Sequence, residues 1–300
     1  MEFQALIYVE GEWTPSLFYQ NEDQRISCYE IPGVNPGKEH CLQKNMQEAM
    51  RQFGLQADQV LLIAATDQSV QAAKELGIAV AGYVNPLFPG QSFAGVTMVI
   101  EGFDEIDRSF LERIYRRCHG LPWTIAVTKR CVLREMTLED LEDLIRLYEK
   151  PGITWRLDEK GERIPGFIEP LYPKEEEKRY QEAYISNMYG YYGYGRWAVV
   201  DRESGRLIGR AGLEHREYDS GVELELGYLI DPAFWHRGIA TEVCQAILSF
   251  AGENLDFPRI NALTDRHNTP SLALLDKLGF VFLEDTLVTG SLMQRFTFNF

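Results

Sequence analysis

The stretch VELELGYLIDPAFWHRGIATEV, residues 222–243, restricts the fold more than any other part of the chain. Its first residues alternate apolar and polar side chains and then turn apolar throughout, which predicts a strand. Asp231 and Pro232 break that strand. From Ile239 onward, Val243, Ala246, Ile247 and Phe250 recur at helical spacing. A strand, a short loop and a helix N-terminus thus follow one another directly. The first N–H groups of a helix lack intrahelical partners and carry the positive end of its dipole. Gly238 leaves the backbone there without a Cβ, and His236 and Arg237 precede it. Such a unit is suited to cradling phosphate, although glycine at a helix start is also common without a ligand.

The rest of the chain bounds what this unit can belong to. A length of 300 residues predicts two domains rather than one. The net charge of −15 argues against a nucleic-acid or anionic-membrane surface. The opening MEFQALIYVEGEW has no basic leader, and no apolar run approaches the roughly 20 residues that span a bilayer. Cys28, Cys41, Cys118, Cys131 and Cys244 are scattered, with no metal or redox spacing. A cytoplasmic protein with reduced thiols and no metal is expected.

Residues 1–128 alternate apolar strands (ALIYV, QVLLIAA, IAVAGYV, VTMVI) with helical patterns (LQKNMQEAMRQFG, SVQAAKELG, SFLERIYRRC). That alternation predicts an α/β domain with a mainly parallel sheet covered on both faces. A fresh strand–helix start follows in CVLREMTLEDLEDLIRLYEK, with Thr137 as N-cap and Asp140 three residues on. Residues 129–300 are therefore expected to form a second domain. There WAVVD and LIGRAGLE flank the turn RESG, and helices alternate with RINALTD, FVFLED and MQRFTFNF. The pattern predicts a mixed-sheet α+β domain.

The second half resembles the GNAT N-acetyltransferases, in the branch typified by ribosomal-protein N-terminal acetyltransferases. Three pieces in order carry the resemblance over roughly residues 130–300: LREMTLEDL, LGYLIDPAFWHRGIATEV and RHNTPSLALLDKLGF. It implies acetyl-CoA as acyl donor. The strand at 223–231 would splay from its neighbour and leave backbone groups around Leu229 and Ile230 to pair with pantetheine amides as an added pseudo-strand. The pyrophosphate would sit on the N–H groups of His236, Arg237, Gly238, Ile239, Ala240 and Thr241, helped by the charge of Arg237. Trp235 stands where the motif usually opens with Gln or Arg, and Asn268 would reach the cofactor while also capping its own helix.

Acyl transfer to an amine needs a base for the amine proton and an acid for the leaving thiolate. Glu223 and Glu225 share one face of the strand by period two, with Glu225 favoured as base, although such glutamates also mark a solvent face. The family's tyrosine acid falls on Leu275, which leaves Ser271 as a substitute or as a plain buried helix serine. In MYGYYGYGRW, Tyr189, Tyr191, Tyr192 and Tyr194 either line the acceptor cleft or end a helix that begins near Lys174. The acceptor is a protein N-terminus or a small-molecule amine; a non-catalytic acyl-CoA-binding regulator is the alternative.

Residues 1–125 more faintly resemble a haloacid dehalogenase-like domain. GLQADQVLLIAATDQSVQAAKELGIAVAGYVNP matches that family's fourth motif with the helix and strand after it. Its acidic pair falls on Ala64 and Ala65, its lysine near His40, and its two aspartates on Val9 and Gly11 or, shifted by one, on Glu10 and Glu12. Without a nucleophilic aspartate or paired carboxylates, a catalytically inactive scaffold is expected, kept for stability, homodimer contacts or an unknown ligand. Period two is expected to point any stray Glu10 or Glu12 carboxylate away from the active face.

Overall fold

The computed structural model describes residues 2–15, 26–33, 39–104, 106–218, 221–288 and 290–300, the side chains of residues 39–41 excepted. The chain divides into two compact units, Met1–Trp123 and Thr124–Phe300. The division precedes the seam expected after residue 128, because Thr124–Val127 is a strand that pairs into the second sheet.

The first unit runs β1 (Ala5–Val9), β2 (Ser27–Ile31), α1 (Glu39–Phe53), β3 (Val60–Ala64), α2 (Asp67–Glu75), β4 (Ala79–Tyr83), β5 (Val99–Ile100) and α3 (Arg108–Cys118). Its sheet is parallel throughout, in the order β2-β1-β3-β4-β5. β1 and β3 are buried along their whole length, as strands covered on both faces must be. Alternate residues of those strands enter two separate apolar clusters: Ile7 and Leu62 in one, Leu6 and Ile63 in the other.

The strand order reverses at β1, so the crevice beyond the carboxyl ends of β1 and β3 is where sheets of this kind take ligands. Glu12 fills it. Its carboxylate accepts from Ala65 N–H at 2.6 Å, from the Thr66 hydroxyl at 2.7 Å and from the Ser69 hydroxyl. The residue is 4% exposed, and burial raises its pKa against those hydrogen bonds. Glu12 therefore does not point away from this face as period two predicts. The chain turns after Val9, with Gly11 at φ 84°, and the strand alternation ends before Glu12 is reached. His40 lies on α1, but its side chain is outside the described residues.

The second unit runs β6 (Thr124–Val127), β7 (Cys131–Arg134), α4 (Leu141–Tyr148), β8 (Trp155–Leu157), β9 (Arg163–Pro165), α5 (Lys174–Tyr184), β10 (Arg196–Asp201), β11 (Leu207–Tyr218), β12 (Gly221–Ile230), α6 (Ile239–Asn254), β13 (Arg259–Thr264), α7 (Thr269–Leu278), β14 (Val281–Val288) and β15 (Ser291–Asn299). Thr137 and Asp140 form the expected capping box, which opens a 3-10 turn leading into α4. The main sheet is mixed, in the order β14-β15-β13-β12-β11-β10-β7-β6, and β8 and β9 form a separate hairpin. Pairing registers sort its residues onto two unlike faces. Trp197, Ala211, Leu224, Leu226, Ile260 and Ala262 belong to the apolar face, where the Trp197 ring meets Phe250 of α6 edge-on at 5.1 Å. Arg196, Arg210, Glu214, Arg216, Glu223, Glu225, Arg259 and Arg295 share the other.

Candidate functional site

β12 is held along its whole length by β11, from Gly221↔Tyr218 to Ile230↔Gly209. Its parallel pairing with β13 covers only Leu224↔Ile260 and Glu225↔Asn261. Beyond Glu225 the two strands separate, so the β13-side backbone groups of residues 226–230 need partners from elsewhere. One is supplied internally, because the Ile230 carbonyl accepts from the Trp235 indole N–H at 2.7 Å. The divergence of the two strands that the resemblance implies is thus present, but the Ile230 carbonyl is already in use.

The loop after β12 is held from several sides. Asp231 accepts from Ala233 N–H at 3.1 Å and pairs with Lys150 at 2.5 Å. The Trp235 ring lies against Gly152, where any Cβ would collide with it. His236 (φ 57°) and Gly238 (φ 74°) both adopt left-handed backbone. Among the described residues a Cβ on Gly238 would meet only Arg130 Nη2, at an ordinary 3.6 Å, so conformation rather than crowding calls for glycine here. Arg130 donates to the Arg237 carbonyl at 2.5 Å and to Glu242, in the first turn of α6, at 2.7 Å. Burial would raise the Glu242 carboxyl, but hydrogen bonds from Thr128 and Arg130 hold it below its ordinary value. The sequence reading missed Arg130, since nothing local links it to a helix so distant in the chain.

Tyr228, on the apolar face of the diverging strand, reaches α7. Its hydroxyl lies 2.7 Å from the Ser271 hydroxyl, and burial raises its pKa well above the ordinary tyrosine value. Leu275, at the position where the resembled family carries its tyrosine, is fully buried. A tyrosine hydroxyl thus meets Ser271 from the neighbouring strand instead. Asn268 caps α7 by accepting from Ser271 N–H at 3.4 Å.

On the opposite face the two candidate bases differ. Glu223 is clamped by Arg259, by Arg295 at 2.9 Å and by the Asn261 amide at 2.7 Å, so all its polar capacity is used structurally. Glu225 pairs with Arg216 and approaches the Tyr218 hydroxyl at 3.4 Å. Burial, and then the Glu225 charge, push the Tyr218 pKa up to about 12, so that hydroxyl stays protonated as a donor.

The four tyrosines separate. Tyr189 is 1% exposed, donates to the Arg196 carbonyl and accepts from Met136 N–H at 3.2 Å. Tyr194 is also buried, its ring edge-on to Phe257. These two are core residues rather than cleft lining. Tyr191 and Tyr192 are exposed, and Tyr192 lies 4.6 Å from the His215 ring. The segment Ile185–Tyr192 continues α5 as a π-helix and stops at Gly193, φ 76°. Wide turns of this kind are rare and concentrate at functional sites.

The family model for the GNAT acetyltransferase domain matches residues 130–281. An uncharacterized N-acetyltransferase, p20 of Bacillus licheniformis, is 26% identical over 153 residues, which cover 51% of this chain and 80% of that protein. The uncharacterized N-acetyltransferase YoaA of Bacillus subtilis is 29% identical over 160 residues, 52% of this chain and 82% of its own. Among solved structures, an acetyltransferase from Agrobacterium tumefaciens matches with a TM-score of 0.45 and 20% identity, covering 58% of this chain and 93% of that one.

Proposed function

This chain belongs to the GNAT acetyltransferase family, and on that premise we propose that its second unit transfers an acetyl group from acetyl-CoA to a primary amine. The carrying observation is the divergence of β12 from β13 directly before a loop with two left-handed residues at the start of α6. Pantetheine amides would pair along residues 226–229, and the pyrophosphate would lie on the N–H groups of residues 236–241 beside Arg237. Arg130 positions that loop by holding the Arg237 carbonyl.

In the reaction a C–N bond replaces the thioester C–S bond, the amine loses a proton and the thiolate gains one. Glu225 takes the amine proton on the polar face. Its pairing with Arg216 keeps it oriented, whereas the Glu223 clamp leaves no capacity for that task. Ser271 donates a hydrogen bond that stabilises the departing sulfur, and the thiolate takes its proton from solvent. Tyr228 is a positioning residue: its hydroxyl lies 2.7 Å from that of Ser271 and orients it, and burial keeps the phenol protonated. Relatives named N-acetyltransferases favour an enzyme over a non-catalytic binder.

The first unit is read as a haloacid dehalogenase-like scaffold without phosphatase activity, in which Glu12 occupies the switch-point crevice. The adjacency of β1, β3 and β4 supports that likeness. Isothermal titration with acetyl-CoA tests the donor site: Gly238→Val and Arg237→Glu should each weaken binding at least tenfold. Parent-like affinity in both variants would place the donor elsewhere.

A further inference from the structure

The polar face of the second sheet contains a buried cation that forms no ion pair among the described residues. Arg210 on β11 is 3% exposed, and its Nε and Nη2 have no hydrogen-bond partner among the described residues. The guanidinium lies 5.1 Å from the centre of the Tyr184 ring. Burial acts to lower its pKa, but nearby Tyr148, Tyr184, Tyr189 and Glu214 more than offset it, so Arg210 stays charged. Tyr184 and Tyr189 are themselves kept neutral by burial and offer ring faces, not a countercharge. Glu214 is already paired with Arg196. A buried charge without a partner is costly, and two unmet donors on the same group add to that cost.

Strand register shows what lies beside this cation. Arg210 is opposite Leu229, Gly212 opposite Gly227, and Glu214 opposite Glu225. All six positions share one face. Two facing positions on it are glycine, and they differ. The space over Gly212 is closed by the Gly195 backbone. Among the described residues a Cβ on Gly227 would meet only Arg196 Nε, at 3.7 Å. Gly227 thus floors a gap, with Glu225 one two-residue step to one side and the Arg210–Leu229 pair one step to the other, about 7 Å of strand each way. Tyr184 joins the two arginines above it, accepting from Arg196 N–H at 2.7 Å while its ring faces Arg210.

We infer that the acceptor is a small amine that also carries a carboxylate, with its amine toward Glu225 and its carboxylate toward Arg210. This rests on the acetyltransferase reading above. The carboxylate would supply the countercharge that the two unmet Arg210 donors lack, and a guanidinium fork suits a carboxylate. A polyamine would set a second ammonium against Arg210 and Arg196. A peptide N-terminus would offer only a neutral carbonyl at that distance.

The test uses the full chain, acetyl-CoA and matched acceptors: glycine against glycinamide, β-alanine against β-alaninamide, and spermidine. The acids should have kcat/KM at least tenfold above their amides and above spermidine. Arg210→Met, which fills the site with an apolar chain, should bring the acid-to-amide ratio close to one by raising KM for the acids alone, while Arg210→Lys should retain part of the preference. Gly227→Val, which fills the gap, should lower kcat/KM for every acceptor. Amides or spermidine used as well as acids by the parent, or a ratio unchanged in Arg210→Met, would overturn this inference alone. Failure to acetylate any amine would overturn the acetyltransferase reading beneath it as well.

Discussion

At Glu225 the structure separates two glutamates that look equivalent in sequence. Alternation in VELEL puts both on one face, but the arginines that engage Glu223 come from β13 and β15, 36 and 72 residues away. Nothing local announces them. Glu225→Gln keeps the shape and removes the basicity, so kcat should fall by about 10²–10³ while acetyl-CoA affinity, read by calorimetry, holds. An unchanged kcat in that variant would remove Glu225 from the role. Ser271 was legible from its motif, but its partner was not, because Tyr228 belongs to a different element. If Tyr228 orients Ser271, Tyr228→Phe and Ser271→Ala should each slow turnover by similar factors, and the double variant should be little worse than either. Independent, multiplicative losses would show that the two hydroxyls do not act together.

At the scale of elements, helices and turns with local signals were legible. Thr137 with Asp140 marked the start of α4, Asn268 that of α7, and Lys174 is the first residue of α5. The divergence of β12 from β13 came from the resemblance alone, since strand pairing is non-local and alternation is the same in a paired and an unpaired stretch. The π-helix at Ile185–Tyr192 could not be foreseen from alternating tyrosine and glycine, and it is what sends Tyr189 into the core. Left-handed backbone makes Gly238 the sensitive position of the loop. Gly238→Ala should destabilise α6 by about 1 kcal/mol, the usual cost of a side chain in that conformation. Asn268→Ala should cost a similar amount through the lost cap. Thermal unfolding measures both, and a neutral Gly238→Ala would contradict the backbone assignment.

Across the whole molecule, a parallel unit and a mixed unit were both readable from the spacing of strands and helices. What could not be read was that Glu12 closes the crevice of the first unit, because a residue beyond a strand end is no longer governed by period two. Burial raises the Glu12 pKa, so the folded state holds that proton more tightly than the unfolded chain does. Its stabilising contribution is then fully present below the ordinary carboxylate pKa and is lost as pH rises through the raised value. The stability difference between parent and Glu12→Ala, from denaturant unfolding of the first unit between about pH 4 and 8, should shrink as pH increases. A flat or growing difference would contradict the burial.

The central claim, acetyl transfer to an amine in the second unit, is tested most directly by following free thiol and acetylated product together. Purified protein with acetyl-CoA and a pool of primary amines should release one thiol per N-acetylated amine detected by mass spectrometry. The release should depend on the amine and be strongly reduced in Gly238→Val. No amine-dependent thiol release, or release equal in parent and Gly238→Val, would contradict it.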